Sequence, residues 1–501
     1  MNETYKTRIR WADKAAFLGL FVAALLMASF VVFRKSAIVL SEPIKLDFAG
    51  LSVCMPMGNG WQSEKQWKYQ QNSFTLGSFF AAGQGSISTL VSCRYLLAAA
   101  NVAPETLLEE KASIVGGTVA ETGKIETGGT AEGSQGAGVL AIDWARVKNP
   151  KTSFYTFLGV AQLPNGRRLD IEVHQAEGDT VMAEEIFKAV AGSLGFTDDQ
   201  SLEAGSKIVA EIKSKGLDSF LSSRFANSPQ SSGSLDDEGR KNFFLIKDAG
   251  GSTIGFAMEA MGFHFSEKPQ TDAEPGAQLN ITAGSFYYLG GRYGQEQAAF
   301  FQSDNSFSEF IWRGRISLPG GRSGTDIVCK DGIMTVKQFS LRAEERNYQI
   351  GPAAIPDVLS EFVFSQMLDS DRKEILVDII GANGEIIPAR VSRVETPQPL
   401  DSQNQGSETD VAGEEPAYVF NIEILDGRGF SERVYLDGQM QASRIVLQHE
   451  STYTLERTSA ENVLKEFPEQ GKYILQSSAG GALQQDDKMP EQQDQSQEDS
   501  E

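Results

Sequence analysis

Histidine is the side chain most often recruited for proton transfer near neutral pH, and this chain has three: His174, His264 and His449. Each sits in a strand-like run with no second His or Cys at ligand spacing, and no His-Glu-x-x-His occurs. All three read as structural histidines. The cysteines, Cys54, Cys93 and Cys329, form no Cys-x-x-Cys pair, so zinc and thioredoxin-type chemistry lacks its usual ligand spacing. Cys54 and Cys93 both fall in strand-like stretches. On neighbouring strands in an oxidising compartment they could bridge; the simpler reading is two buried small apolar side chains.

The nearest approach to a serine nucleophile elbow is Ala191-Gly192-Ser193-Leu194-Gly195. It has Ala in place of the first Gly and lies at the end of a helical pattern, where an elbow needs the start, so it reads as a helix terminus. Residues 136–141 formally fit a dinucleotide fingerprint, but the glycines precede a β-like run when they should deliver a helix N-terminus. Gly123-Lys124 is followed by Ile125, where a P-loop needs Ser or Thr. The acid pairs Asp198-Asp199 and Asp236-Asp237 lie in loops without a calcium-loop pattern. Aromatics such as Phe286, Tyr287, Tyr288, Phe310 and Trp312 read as the core of a large sheet, or alternatively as the lining of an apolar groove. No catalytic, cofactor-binding or metal-ligating residue is singled out, and the reading is of a protein that is not an enzyme.

The elements that would position any site begin after residues 15–33, AAFLGLFVAALLMASFVVF, which carry no charge. As a helix they rise about 28 Å at ~1.5 Å per residue, close to the ~30 Å hydrocarbon core. A cleaved signal peptide would have a shorter apolar run and a small-x-small site, whereas Arg34-Lys35 follows directly. The expectation is an uncleaved single-pass anchor. Lys6, Arg8, Arg10 and Lys14 precede it, against Arg34, Lys35 and Lys45 after it, which puts the N-terminus in the cytoplasm and the bulk of the chain outside the cell (inner) membrane. The partner at this segment is the lipid bilayer.

Of the 45 bases, six lie in residues 1–35, leaving 39 against 65 of the 67 acids in the remainder. Such a balance is unsuited to nucleic acid, whose binding rests on neutralising phosphates, and suits a soluble domain outside the membrane. The partners expected there are other envelope proteins.

Residues 34–45 read as a stalk. Strand-like runs at 74–83 and 87–97 are followed by a helix opening on Pro104, a Gly-rich stretch at 116–138, strands at 138–147, 153–163 and 167–175, and a helix at 182–194. That order places helices over an antiparallel sheet in a domain spanning 46–197. Its opening, LDFAGLSVCMPMGNGW, and its closing, EEIFKAVAGSLGF, resemble the two ends of PsbP-like domains. The resemblance implies a non-catalytic α/β sandwich used for binding or assembly.

Residues 198–205 read as a linker, and an amphipathic helix is expected over 206–223. To about 475 the chain then reads as strands and turns, with Asp331-Gly332 between alternating runs as a hairpin signal. Helices are expected at 355–368 and 459–467. Residues 396–416 read as a disordered insertion and 476–501 as a disordered acidic tail. The long alternating strands of 206–475 are loosely similar to the half-barrel of LolA-type lipoprotein carriers. The fold class is therefore α+β: an N-terminal transmembrane helix, an α/β sandwich with an antiparallel sheet, and a larger, mostly antiparallel β domain with a few helices. Three functional readings follow. The first is a non-catalytic binding or scaffold ectodomain. The second is a carrier-like module for a lipid or hydrophobic ligand. The third is an enzyme with an acid-only site assembled in space from Asp and Glu.

Overall fold

The computed structural model describes residues 38–470, except 59, 82–86, 99–101, 128–139, 152–153, 164–165, 176–179, 198–199, 218, 220–239, 268–276, 290–292, 319–320, 340–343 and 395–415. The apolar run 15–33, the insertion 396–415 and the tail 476–501 lie outside the described residues. Among those described, no helix is long and apolar enough to cross a membrane. The fold is β-rich and built from antiparallel sheets, with a single parallel strand pair among the described strands.

The first domain is an eight-stranded sheet. Its main path runs from Trp61–Ser63 through Ser73–Ala81, Ile87–Leu96, Arg168–Gln175, Tyr155–Gln162 and Ala141–Lys148 to Thr118–Glu126. Helices cover both faces. Helix α1 (Pro104–Ile114) packs Leu107, Leu108 and Ala112 on Ala145, Val147, Leu158 and Val160. Helix α2 (Thr180–Gly192) covers the other face, where Phe187 stacks on Phe157 and meets Trp144. The alternation along the central strands sends 144 and 157 one way and 145 and 158 the other. Double coverage explains why Tyr155–Gln162 is buried almost throughout.

Several local expectations differ from the structure. Thr118–Glu126 lies in the stretch read as a Gly-rich separator; it is an exposed edge strand, so no buried apolar face marks it in the sequence. The run LDFAGLSVCMP is not one strand. Ile44–Leu46 and Leu51–Val53 pair with each other around a 3₁₀ turn at Asp47–Ala49. The linker read at 198–205 is largely the beginning of helix α3 (Gln200–Lys215); the expected helix is interrupted at Gly216, Leu217 and Ser219 are helical again, and 218 and 220–223 lie outside the described residues. Leu202, Ala204 and Gly205 are buried in the first turns of α3. The polar composition of DDQSLEAGS hid a helix that tertiary packing stabilises. Gly205 is needed there, because a β-carbon would lie 1.8 Å from the Leu376 carbonyl oxygen.

The second domain is a single sheet of fifteen strands. A meander of eight runs from Arg240–Lys247 to Glu344–Gln349; the other seven run from Ala354–Pro356 to Thr452–Thr458. The halves join where Arg240–Lys247 pairs with Thr452–Thr458. Hairpins set the register locally. Asp331 (φ 52°) and Gly332 (φ 75°) link the pair Lys330 and Ile333, the left-handed turn that the Asp-Gly signal demands. The sheet curls around α3 and helix α4 (Ser360–Asp369), and Phe364 of α4 stacks on Phe420 at 4.7 Å. Its two ends approach, since Gln338 Nε2 donates to the Asn383 carbonyl at 3.2 Å.

The domains share one core. Arg167 of the first domain donates to Asp378 of the second (Nη2 to Oδ1, 2.7 Å) and to the Tyr95 hydroxyl (2.6 Å), with both members of the ion pair 2 % exposed. Burial opposes the guanidinium's charge, and the carboxylate and phenol overcome it, raising its pKa. Nearby, Asn72 Oδ1 accepts from the Ile386 amide at 2.7 Å and the Tyr69 hydroxyl donates to the Ile386 carbonyl at 2.9 Å. Arg167→Ala leaves Asp378 buried and unpaired. A loss of about 3–5 kcal/mol is expected from chemical denaturation, with Arg167→Met/Asp378→Leu recovering most of it. A midpoint unchanged by Arg167→Ala would show that the pair does not couple the domains.

Candidate acidic site on the concave face

Strand alternation decides which side chains of the large sheet face its concave side. In Thr253–Glu267, Phe256 and Met258 turn outward and pack with Phe286 and Tyr288 under helix α5 (Ala460–Glu466) and Phe467. Ala257 turns the other way into the main core, and Glu259 is in phase with it. The register pairs Ala257 with Tyr287 and Glu259 with Ser285, setting Tyr287 diagonally beside Glu259. The Tyr287 hydroxyl points to Glu259 Oε1 at 3.5 Å. On Ser431–Leu436, Val434 and Leu436 are buried in the core, so Glu432 shares their inward face.

Two further acids come from the helical segment inside the curve. Asp357 opens the 3₁₀ turn Asp357–Leu359, and Glu361 lies in the first turn of α4, where the helix dipole favours negative charge. Asp357 is open to solvent, yet protein surrounds it closely enough to raise its carboxyl. Together with Glu361, Glu259 and Glu432 it makes one acidic hollow on the concave face of the curled sheet.

The electrostatics are one-sided. Burial pushes Glu259 up to about 7, with the charges of Glu361 and Asp357 adding to the effect and the Tyr287 hydrogen bond opposing it. Burial likewise pushes Glu432 up to about 7, reinforced by Asp357 and Glu259. The Tyr287 phenol is raised by burial and by both glutamates. The charges that act on Glu259 and Glu432 are those of neighbouring carboxyls, Asp357 for both, Glu361 for Glu259 and Glu259 for Glu432. Among the described residues no three His, Cys, Asp or Glu converge tightly enough to hold a metal ion. The four acids share one face of the sheet. They can share protons near neutral pH, or receive a cationic group.

None of these acids stands in a recognisable spacing; they come from two strands and one helical segment. The available signal was subtler, an acid in the inward phase of an otherwise apolar strand: Glu259 with Ala257, and Glu432 with Val434 and Leu436. The residues singled out by type go elsewhere. His174 Nδ1 lies 3.1 Å from Thr156 Oγ1 and its Nε2 3.3 Å from Glu172. The His174 hydrogen bond, with Lys111, holds the Glu172 carboxyl down at about 2, and Lys111 also meets Asp170, tying α1 to the sheet. His449 is exposed, and the side chain of His264 lies outside what is described. Ser193 caps α2, its hydroxyl donating to the Val190 carbonyl and accepting from the Cys54 amide. All three cysteines are free, with Cys93 and Cys329 buried. Residues 136–139 and both acid pairs lie outside the described residues. Of the aromatics, Phe310 and Trp312 join Phe301 in the core, Phe286 and Tyr288 pack under α5, and Tyr287 lines the acidic hollow.

No protein-family model matches this chain, and no curated protein matches it. Among solved structures it is similar to a β-barrel-like protein of a domain of unknown function, DUF1849, from Brucella abortus, at 10% identity over 44% of this chain and 95% of that one, with a TM-score of 0.30.

The pKa values make the hollow a source of pH-dependent stability. For Glu259 and Glu432 the folded value exceeds the unfolded one, so the native state holds protons that the unfolded chain releases. Stability is then highest below about 4.5 as far as these groups are concerned, and is lost as pH rises through about 7. Glu259→Gln and Glu432→Gln are expected to raise the melting midpoint at pH 8 more than at pH 5. An equal effect at both values would contradict the assignment.

Proposed function

We propose that this chain is a membrane-anchored, non-catalytic binding protein that holds an organic cation in the hollow of its larger domain. The carrying observation is the convergence of Glu259, Glu432, Asp357 and Glu361 on the concave face, where burial and the neighbouring carboxylate charges together raise both glutamates. A cation there would neutralise groups that otherwise retain protons. Tyr287 and the apolar inward positions beside it offer a surface for the ligand's hydrocarbon part. In this reading residues 15–33 anchor the chain in the cell membrane, the described domains lie on the extracytoplasmic side, and envelope proteins are the macromolecular partners.

Two carboxyls held near 7 in one hollow also favour a second reading, an acid–base enzyme without His or Cys. Thermal-shift and calorimetric titration of the purified chain with spermidine and a cationic amphiphile, against neutral analogues, tests the first. The expected outcome is stabilisation by the cations only, stronger at pH 8 than at pH 5, and a loss of affinity of about tenfold or more in Glu259→Gln/Glu432→Gln. Equal responses to cations and neutral analogues would refute cation binding. Turnover of a glycoside, ester, peptide or phosphate substrate, inflecting near pH 7 and abolished by either substitution, would replace binding with catalysis.

A further inference from the structure

The register of the first sheet gives that domain two distinct ends. One end carries Tyr95, Arg167 and Asn72, the residues that meet the second domain. The opposite end is fixed by a row of paired positions across the sheet: Lys148 with Tyr155, Tyr155 with Gln175, Gln175 with Thr89, Thr89 with Phe80, and Phe80 with Trp61. Helix α1 ends at this far end, where Asn149 Nδ2 donates to the Val115 carbonyl, and α2 begins there, a few residues after Gln175. The described chain enters there too, since Val39 pairs with Met57, and next to Met57 the Gly58 carbonyl accepts from the amide of Trp61 at the same edge.

Exposed apolar side chains collect at that end. Twelve large ones are exposed among the described residues; eight belong to the first domain, and all eight lie here. From strands and loops come Val39, Met57, Ile87 (52 % exposed), Leu90 and Phe154. From the helix ends come Ile114 (83 %), Val181 and Met182. Ile87, Leu90 and Phe154 also border a cleft of about 220 Å³ whose lining includes Thr156 and His174. Lys148 and Lys151 are exposed alongside. A concentration of this kind marks a contact surface.

We infer that this end of the first domain docks onto the lipid bilayer, its apolar side chains entering the headgroup region. The inference rests on the anchor proposed above, and chain reach selects the occupant. Only residues 34–37 separate the apolar run from Ile38, and four residues span at most about 14 Å. A domain tethered that closely must present its entry end to the membrane surface, and that end is the apolar one. The second domain is then held on the side away from the membrane by the Arg167–Asp378 junction, its hollow clear of the lipid.

The full-length chain, reconstituted into phosphatidylcholine vesicles with one fifth phosphatidylglycerol, tests this. A photo-crosslinking amino acid is placed at Ile87, Ile114 or Phe154, and at Val328 on the second domain as a control. Flotation with the vesicles and lipid adducts at the first three positions, at least fivefold above Val328, are expected. Flotation without those adducts, or adducts to protein alone, overturns the docking face and leaves the anchor standing. A chain that stays with the soluble fraction overturns the anchor, and the docking face with it.

Discussion

The contact on which the arrangement depends is the buried triad of Arg167, Asp378 and Tyr95. A guanidinium taken out of water is costly unless its partners replace the lost hydration. Here one strand end of the first domain supplies the cation, and the strand Glu374–Ile380 of the second supplies the anion. Because neither charge is tolerable alone, the two domains are specified as a pair. Asn72 and Tyr69 extend the junction through the backbone of Ile386, at the start of the strand paired with the one carrying Asp378. Helix α3 leads out of the first domain and packs directly on Glu374–Ile380, which is why Gly205 sits where the helix meets the Leu376 carbonyl.

That fixed junction gives the curved sheet its setting. Helices α3 and α4 fill part of the concavity with Ile208, Ile212, Phe362 and Met367. At the N-terminal side of α4 the apolar filling gives way to Asp357, Glu361, Glu259 and Glu432. A fold that buries aliphatic residues over most of one face and then places four carboxyls on the same face keeps an unfavourable charge density there. Such local conflict between stability and composition is what a binding or reactive site produces. In the Lys111, Asp170, Glu172 and His174 network, by contrast, Lys111 bridges both acids and the result is a braced helix.

Much of the fold was legible in order along the chain. Period-two alternation marked most long strands, Asp331-Gly332 marked a turn, and Pro104 marked a helix start. The failures share one cause. Thr118–Glu126, the 3₁₀ break at Asp47–Ala49 and the first turns of α3 are held by their neighbours, and their own sequence preferences are weak or contrary. Edge strands and polar helix starts have little periodic signal to read.

The sequence by itself determined the composition, the strand-rich character, the apolar run 15–33 with its basic flanks, and the absence of any motif whose spacing alone implies chemistry. Those properties depend on residues near one another in the chain. Only the tertiary structure decided that Glu259, Asp357, Glu361 and Glu432 share a hollow, that Arg167 finds Asp378 across 211 positions, and that the exposed apolar side chains of the first domain gather at the end where the chain enters. Strand order and register bring those residues together, and both are set by how faces pack, which no local spacing records.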